Sequence, residues 1–148
     1  MTKHSAALDI KDDTITKRFK KTDDKSFIKF IRELSVYTVA NKKKLDYIPR
    51  MISYDFKKRS ITTERIHGFD LGTIPESNYE EREKYLEQIS NILKKLKKDL
   101  LLYHNDVLYR NFVYNPDTKK LYIIDFESVS IEKTSHEAKD YIEINLVR

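Results

Sequence analysis

The chain has 148 residues, a formal net charge of +5, 39% hydrophobic and 36% charged residues, ten Tyr and seven Phe. That is one domain's worth of sequence, with one core split at most between two small lobes, and its aromatic content argues against a disordered chain. It has no Cys, which excludes disulfides and thiolate metal sites; no apolar run approaches the roughly 20 residues of a membrane helix, residues 1–13 lack a signal-peptide pattern, and a soluble, cytoplasmic protein is expected.

In chain order, residues 6–10 and 14–19 predict a hairpin around a turn at Lys11, Asp12 and Asp13. Asp23 or Asp24 can cap a helix from about residue 25 to 41. Its apolar face is Phe27, Phe30, Ile31, Leu34 and Tyr37, at three- and four-residue spacing. Residues 47–66 predict two or three strands, with 51–55 and 60–66 separated by a charged turn. Residues 68–78 read as a loop. A long helix begins at Tyr79 with Tyr85, Ile89, Ile92, Leu93, Leu96 and Leu100 as its buried stripe; acidic residues near its start and Lys near its end suit the helix dipole. Residues 111–114 and 121–124 predict a second hairpin, turning through 115–120. A closing helix is expected over 135–146. The Lys runs at 42–44, 94–95 and 97–98 carry much of the charge. They are interleaved with Asp and Glu, which reads as solvated surface rather than as a nucleic-acid face.

The chemistry concentrates in residues 103–127. A hairpin returns its outer ends to one place, here Asn111 and Asp125, with His104, Asn105 and Asp106 just upstream. Mg²⁺ takes one or two carboxylate-type oxygens plus phosphate oxygens and water. Asn111 and Asp125 supply such oxygens, leaving Asp106 to orient a hydroxyl nucleophile and accept its proton.

His104-Asn105-Asp106-Val107-Leu108-Tyr109-Arg110-Asn111 resembles the kinase catalytic loop H-x-D-x-x-x-x-N. Ile124-Asp125-Phe126-Glu127 resembles the D-F-G metal motif with Glu in place of Gly. The order and the intervening hairpin also match a protein-kinase-like phosphotransferase. The D-F-E form is similar to that common among aminoglycoside-phosphotransferase-like and other atypical kinases. Ser135-His136-Glu137-Ala138-Lys139-Asp140 is similar to the helix after the metal motif in the small KEOPS-complex kinase, and the chain as a whole resembles a minimal atypical member of the superfamily, like these and the RIO kinases. By that resemblance the fold is α+β, a truncated protein-kinase-like fold. A small antiparallel N-lobe sheet with one helix (residues 1–66) stands above a mostly helical, shortened C-lobe (residues 67–148), in a single kinase-like domain with ATP between the lobes. Regulation by flipping of the metal motif is not expected. Lys17, on the strand that resembles V-A-I-K, would hold the ATP phosphates. Strand alternation puts Lys17 and Phe19 on one face and Arg18 and Lys20 on the other, with Lys20 or Lys21 as alternatives for the pocket. Glu33 resembles the lysine's ion-pair partner, or is a solvated helix residue. Glu64 and Ile66 lie in a segment similar to the hinge whose backbone meets adenine. His104 is assigned a structural role, and Asp140 resembles the buried Asp that braces the catalytic loop. Arg110 either touches phosphate or substrate or is solvated. Glu127 either helps hold metal or accepts hydrogen bonds from the next turn.

Two departures from the family pattern shape the expectation. Only sixteen residues, without Gly, precede Lys17, so no Gly-rich phosphate loop is expected. Only eight follow Asp140, so the substrate-binding helices and an activation segment are not expected. The residues and the resemblance together imply an ATP- and Mg²⁺-dependent phosphotransferase, atypical Ser/Thr protein kinase-like, or an ATPase acting with a protein partner or on a protein substrate. The rivals are a pseudokinase scaffold that binds nucleotide, and a basic RNA-associated protein, for which no RNA-reading motif is found.

Overall fold

The computed structural model describes residues 6–132. They divide into two units: residues up to Ile66 together with Asp125–Glu127, and His67–Ile124 with the residues after Glu127.

The first unit is built on a four-stranded antiparallel sheet. Strands β1 (Ala6–Ile10), β2 (Thr14–Phe19), β3 (Met51–Asp55) and β4 (Ser60–Glu64) lie in the order β1-β2-β4-β3. Pairing of Leu8 with Lys17 and of Lys17 with Ile61 sets these three on one face, because side chains alternate along a strand. Helix α1 (Asp24–Lys43) starts where the Asp23 carboxylate accepts from the Ser26 N–H at 2.6 Å, a side-chain cap for an otherwise unpaired donor. It ends at Lys44, in the left-handed region. Phe30, Glu33, Leu34, Tyr37 and Ala40 form its buried face. Phe30 packs edge-on against Phe19 of β2 at 5.8 Å. The Asn41 amide exchanges two hydrogen bonds with the Met51 backbone, at 2.8 and 3.0 Å, and so ties α1 to β3.

The second unit packs helices α2 (Tyr79–Glu83) and α3 (Leu86–Leu100) with a three-stranded antiparallel sheet of β5 (Phe69–Asp70), β6 (Phe112–Asn115) and β7 (Lys120–Ile123), in that order. Ile89, Ile92, Leu93 and Leu96 of α3 are buried with Phe112, Leu121 and Ile123. Both glycines sit at close approaches. A Cβ on Gly68 would fall 1.8 Å from the Tyr114 carbonyl oxygen, and one on Gly72 2.8 Å from the Arg110 Cβ, so neither position accepts a side chain without a shift.

The single helix expected from Tyr79 is broken. Tyr85 N–H bonds Arg82 at 3.2 Å, an i to i+3 bond, and α3 restarts beyond it. The tightening brings residues three apart into line. Arg82 is buried and donates twice to the Ile74 carbonyl, at 2.8 and 3.0 Å, while Tyr85 packs on Tyr114 at 4.9 Å. The expected loop at 68–78 contains β5 and a 3₁₀ turn, Leu71–Thr73. Asn111, expected at the head of a strand, closes a 3₁₀ turn, Tyr109–Asn111. The helix expected over 135–146, and Asp140 with it, lies outside the described residues.

Candidate active site

In the first unit the sheet and α1 bring Lys17 and Glu33 together. Lys17 Nζ lies 2.8 Å from Glu33 Oε1. The same ammonium reaches Asp125 Oδ1 at 3.3 Å and Glu127 Oε2 at 3.0 Å, and sits 4.9 Å from the centre of the Phe19 ring. Lys17 therefore shares its face with Phe19, whereas Arg18, Lys20 and Lys21 are exposed. Glu33 also accepts from the Phe126 N–H at 3.2 Å, and Phe126 is wedged edge-on against Tyr37 at 5.3 Å.

Three carboxylates around one ammonium leave an excess of negative charge in a largely buried place. Burial pushes the Glu33 carboxyl up to about 7, with Lys17 opposing the shift and Asp125 reinforcing it. For Lys17 burial acts to lower its affinity for a proton, but Glu33, Asp125 and Glu127 together outweigh it and hold it above the ordinary lysine range. Of the pair, Glu33 is the member that takes up a proton as pH falls. Burial and then Glu33 likewise push the Tyr37 phenol well up. Ligand oxygens of Glu33, Asp125 and Glu127 all lie within 4.8 Å of one another. Asp125 has φ 67, a left-handed conformation that Asp tolerates better than most residues.

The second unit holds residues 104–111, the segment that resembles a kinase catalytic loop. Tyr103 and Ser130 form an isolated antiparallel bridge at the loop's entry. His104, buried, presents Nε2 to the Ile124 carbonyl at 2.9 Å and accepts the Asp106 N–H on Nδ1 at 3.3 Å. A carbonyl only accepts and an N–H only donates, so these contacts select the Nε2-protonated, neutral imidazole. Asn105, at φ 65, donates to the Ser128 carbonyl at 3.0 Å and to Ser130 Oγ at 2.6 Å. Asn111 Nδ2 donates to the Asp106 carbonyl at 2.7 Å and to Asp106 Oδ2 at 3.1 Å. Both partners are acceptors, which fixes the amide orientation and turns Oδ1 away from them. Among the described residues Oδ1 makes no hydrogen bond, the donor chemistry that a hard cation uses.

The remaining expected residues lie at the end of β4. Glu64 is fixed at both ends: its N–H donates to the Arg50 carbonyl at 2.9 Å and its carboxylate accepts from the Arg50 N–H at 2.7 Å. The Ile66 N–H has no acceptor among the described residues. Glu127, whose role the sequence left open, is a direct partner of Lys17. Lys29 and Arg32 were not anticipated. Lys29 Nζ is 3.8 Å from Glu127 Oε1 and Arg32 Nη1 donates to the Glu127 carbonyl at 3.0 Å. Their only sequence signal is a place within one helical turn of Glu33.

The profile of the choline/ethanolamine kinase family matches residues 40–143, more than half of the chain, and the chain belongs to that family, within the protein-kinase-like superfamily. The match includes Asp106, Asn111 and Asp125 and leaves Lys17 and Glu33 outside it. No curated protein matches the chain in sequence. Among solved structures it is similar to WbdD. The 2.2 Å crystal structure of WbdD gives a TM-score of 0.69 at 18% identity, covering 89% of this chain and 32% of that one. A structure described as the bifunctional kinase-methyltransferase WbdD gives 0.64 at 20%, covering 88% and 31%. A co-crystal of WbdD with a kinase inhibitor gives 0.66 at 18%, covering 86% and 31%. The chain thus spans about a third of the WbdD chains it matches. At these identities the likeness is one of fold, a small antiparallel sheet with helices as in a kinase-like protein. Among the described residues no helix is long and apolar enough to cross a membrane.

Proposed function

We propose that this chain carries the nucleotide and catalytic residues of an ATP- and Mg²⁺-dependent phosphotransferase acting on a hydroxyl group. The observation that carries the reading is the Lys17 ammonium, bonded to Glu33 and shared with Asp125 and Glu127 of the metal motif. A lysine set by a helix glutamate is the phosphate-gripping device of kinase-like sites.

In this reading Lys17 passes from the carboxylates to the ATP phosphates while Glu33 keeps it oriented. Asp125 and Asn111 are each proposed as an oxygen donor to Mg²⁺; the chemistry of Asn111 Oδ1 and of the acidic Asp125 side chain fits that role. Bound Mg²⁺ would neutralise phosphate charge. Asp106, steadied through its carboxylate by Asn111 Nδ2, orients the acceptor hydroxyl and takes its proton. His104, held neutral by two backbone partners, positions the loop rather than acting as a base. The Glu64–Ile66 backbone meets the adenine, with the Ile66 N–H as donor.

The family supports an alcohol acceptor of the choline or ethanolamine kind, and a Ser/Thr side chain of a protein has the same reacting group. The test is γ-phosphoryl transfer from labelled ATP to choline, ethanolamine and a Ser/Thr peptide mixture, for the wild type, Asp106→Asn and Asp125→Ala. Transfer in the wild type that both variants reduce at least ~100-fold supports the reading. Transfer that survives both substitutions contradicts it.

A further inference from the structure

Adjacent residues of α1 grip the main chain of the metal motif. The Phe126 N–H donates to Glu33 Oε1 at 3.2 Å, and the Glu127 carbonyl accepts from Arg32 Nη1 at 3.0 Å. Immediately before these grips stands Asp125, held at φ 67. The Glu33 grip belongs to the ion cluster already described. The Arg32 grip does not: it touches no carboxylate of the cluster and acts on the peptide that orients Glu127.

We infer that Arg32 is a positioning residue for residues 125–127, an inference that rests on the Mg-nucleotide reading above. Holding the Glu127 carbonyl fixes the peptide plane between Glu127 and Ser128. That aims the Glu127 carboxylate at Lys17 (3.0 Å) and keeps Asp125 at the same ammonium (3.3 Å). The guanidinium presents a rigid fork of donors, which suits it to hold a carbonyl in one orientation. Lys29, 3.8 Å from Glu127 Oε1 and 38% exposed, is too loose to replace it. Without Arg32 the segment is free to leave the left-handed conformation at Asp125, and the two carboxylates lose their common target.

The test uses the full chain with Arg32→Ala and Arg32→Lys, and reads two quantities. One is hydrogen exchange of the Phe126 amide in the metal-free protein, and the other is the Mg²⁺ concentration giving half-maximal ATP binding. Loss of a charge-assisted hydrogen bond should raise the Mg²⁺ midpoint and speed Phe126 exchange by about tenfold each in Arg32→Ala, with β4 amides unchanged and most of the effect recovered in Arg32→Lys. A midpoint and a Phe126 rate both within about twofold of wild type, or faster exchange throughout residues 6–66, would overturn it. If wild-type ATP binding shows no Mg²⁺ dependence, the Mg-nucleotide reading fails on its own, and Phe126 exchange still decides the role of Arg32.

Discussion

The carboxylate cluster at Lys17 and the loop at residues 104–111 are held by different physics. The cluster is ionic, largely buried and assembled over long range: Lys17 meets Asp125 and Glu127 across 108 and 110 residues of sequence. The loop is held by hydrogen bonds, some within it, Asn111 to Asp106, Asp106 to His104 and Leu108 to Asp106, and others from His104 and Asn105 to residues 124–130. A buried ion cluster is strongly interdependent, because removing one charge strands the others. A hydrogen-bonded loop loses roughly one bond at a time. One region should therefore fail through its charges and the other through its geometry.

Lys17→Met is the sharpest way to break that contrast. It leaves three carboxylates facing one another, and should destabilise the protein by about 3–5 kcal/mol in urea unfolding. A cost near that of an ordinary surface substitution would mean the cluster is not the buried unit described. Next, His104→Ala strands the Ile124 carbonyl and the Asp106 N–H. It should cost about 1–3 kcal/mol, with an Asp125→Ala background leaving that cost unchanged within ~0.5 kcal/mol if the two regions are independent.

The pH dependence follows from Glu33. Its carboxyl is raised in the folded protein from an ordinary 4.5 to about 7. The folded state then binds a proton more tightly than the unfolded one, so this contribution to stability is complete below about 4.5 and is lost as pH rises through about 7. Unfolding free energy should fall over that window with a slope of at most ~1.4 kcal/mol per pH unit, and Glu33→Gln should remove that component. Lys17 adds no slope there, because its shift acts only at strongly alkaline pH. An identical profile in Glu33→Gln would show that Glu33 is not the titrating member. The smallest effect is expected from Lys29→Ala. Its contact is long and partly exposed, and its loss should cost less than ~1 kcal/mol and weaken with salt.

The same contrast governs what the sequence made legible. Locally coded parts were readable. The strands at 6–10 and 14–19 and the Asp23 cap follow from turn and capping chemistry within a few residues, as does the face shared by Lys17 and Phe19. The pattern at residues 104–111 stands out in the sequence because its spacing is local. The break at Tyr85 was not readable, because contacts to Ile74 and Tyr114 override a continuous helical period. Nor was the part played by Glu127, Lys29 and Arg32. Each is one charged residue among many, and only the folded pairing of α1 with residues 125–127 distinguishes them from solvated side chains.

The most direct test of the central claim is calorimetric titration of ATP into the wild type and Asp125→Ala, each with and without Mg²⁺. Binding that strengthens at least ~10-fold with Mg²⁺ in the wild type, and loses that gain in Asp125→Ala, is the result expected of a Mg-nucleotide site. Binding that is absent, or indifferent to both Mg²⁺ and the substitution, would contradict it.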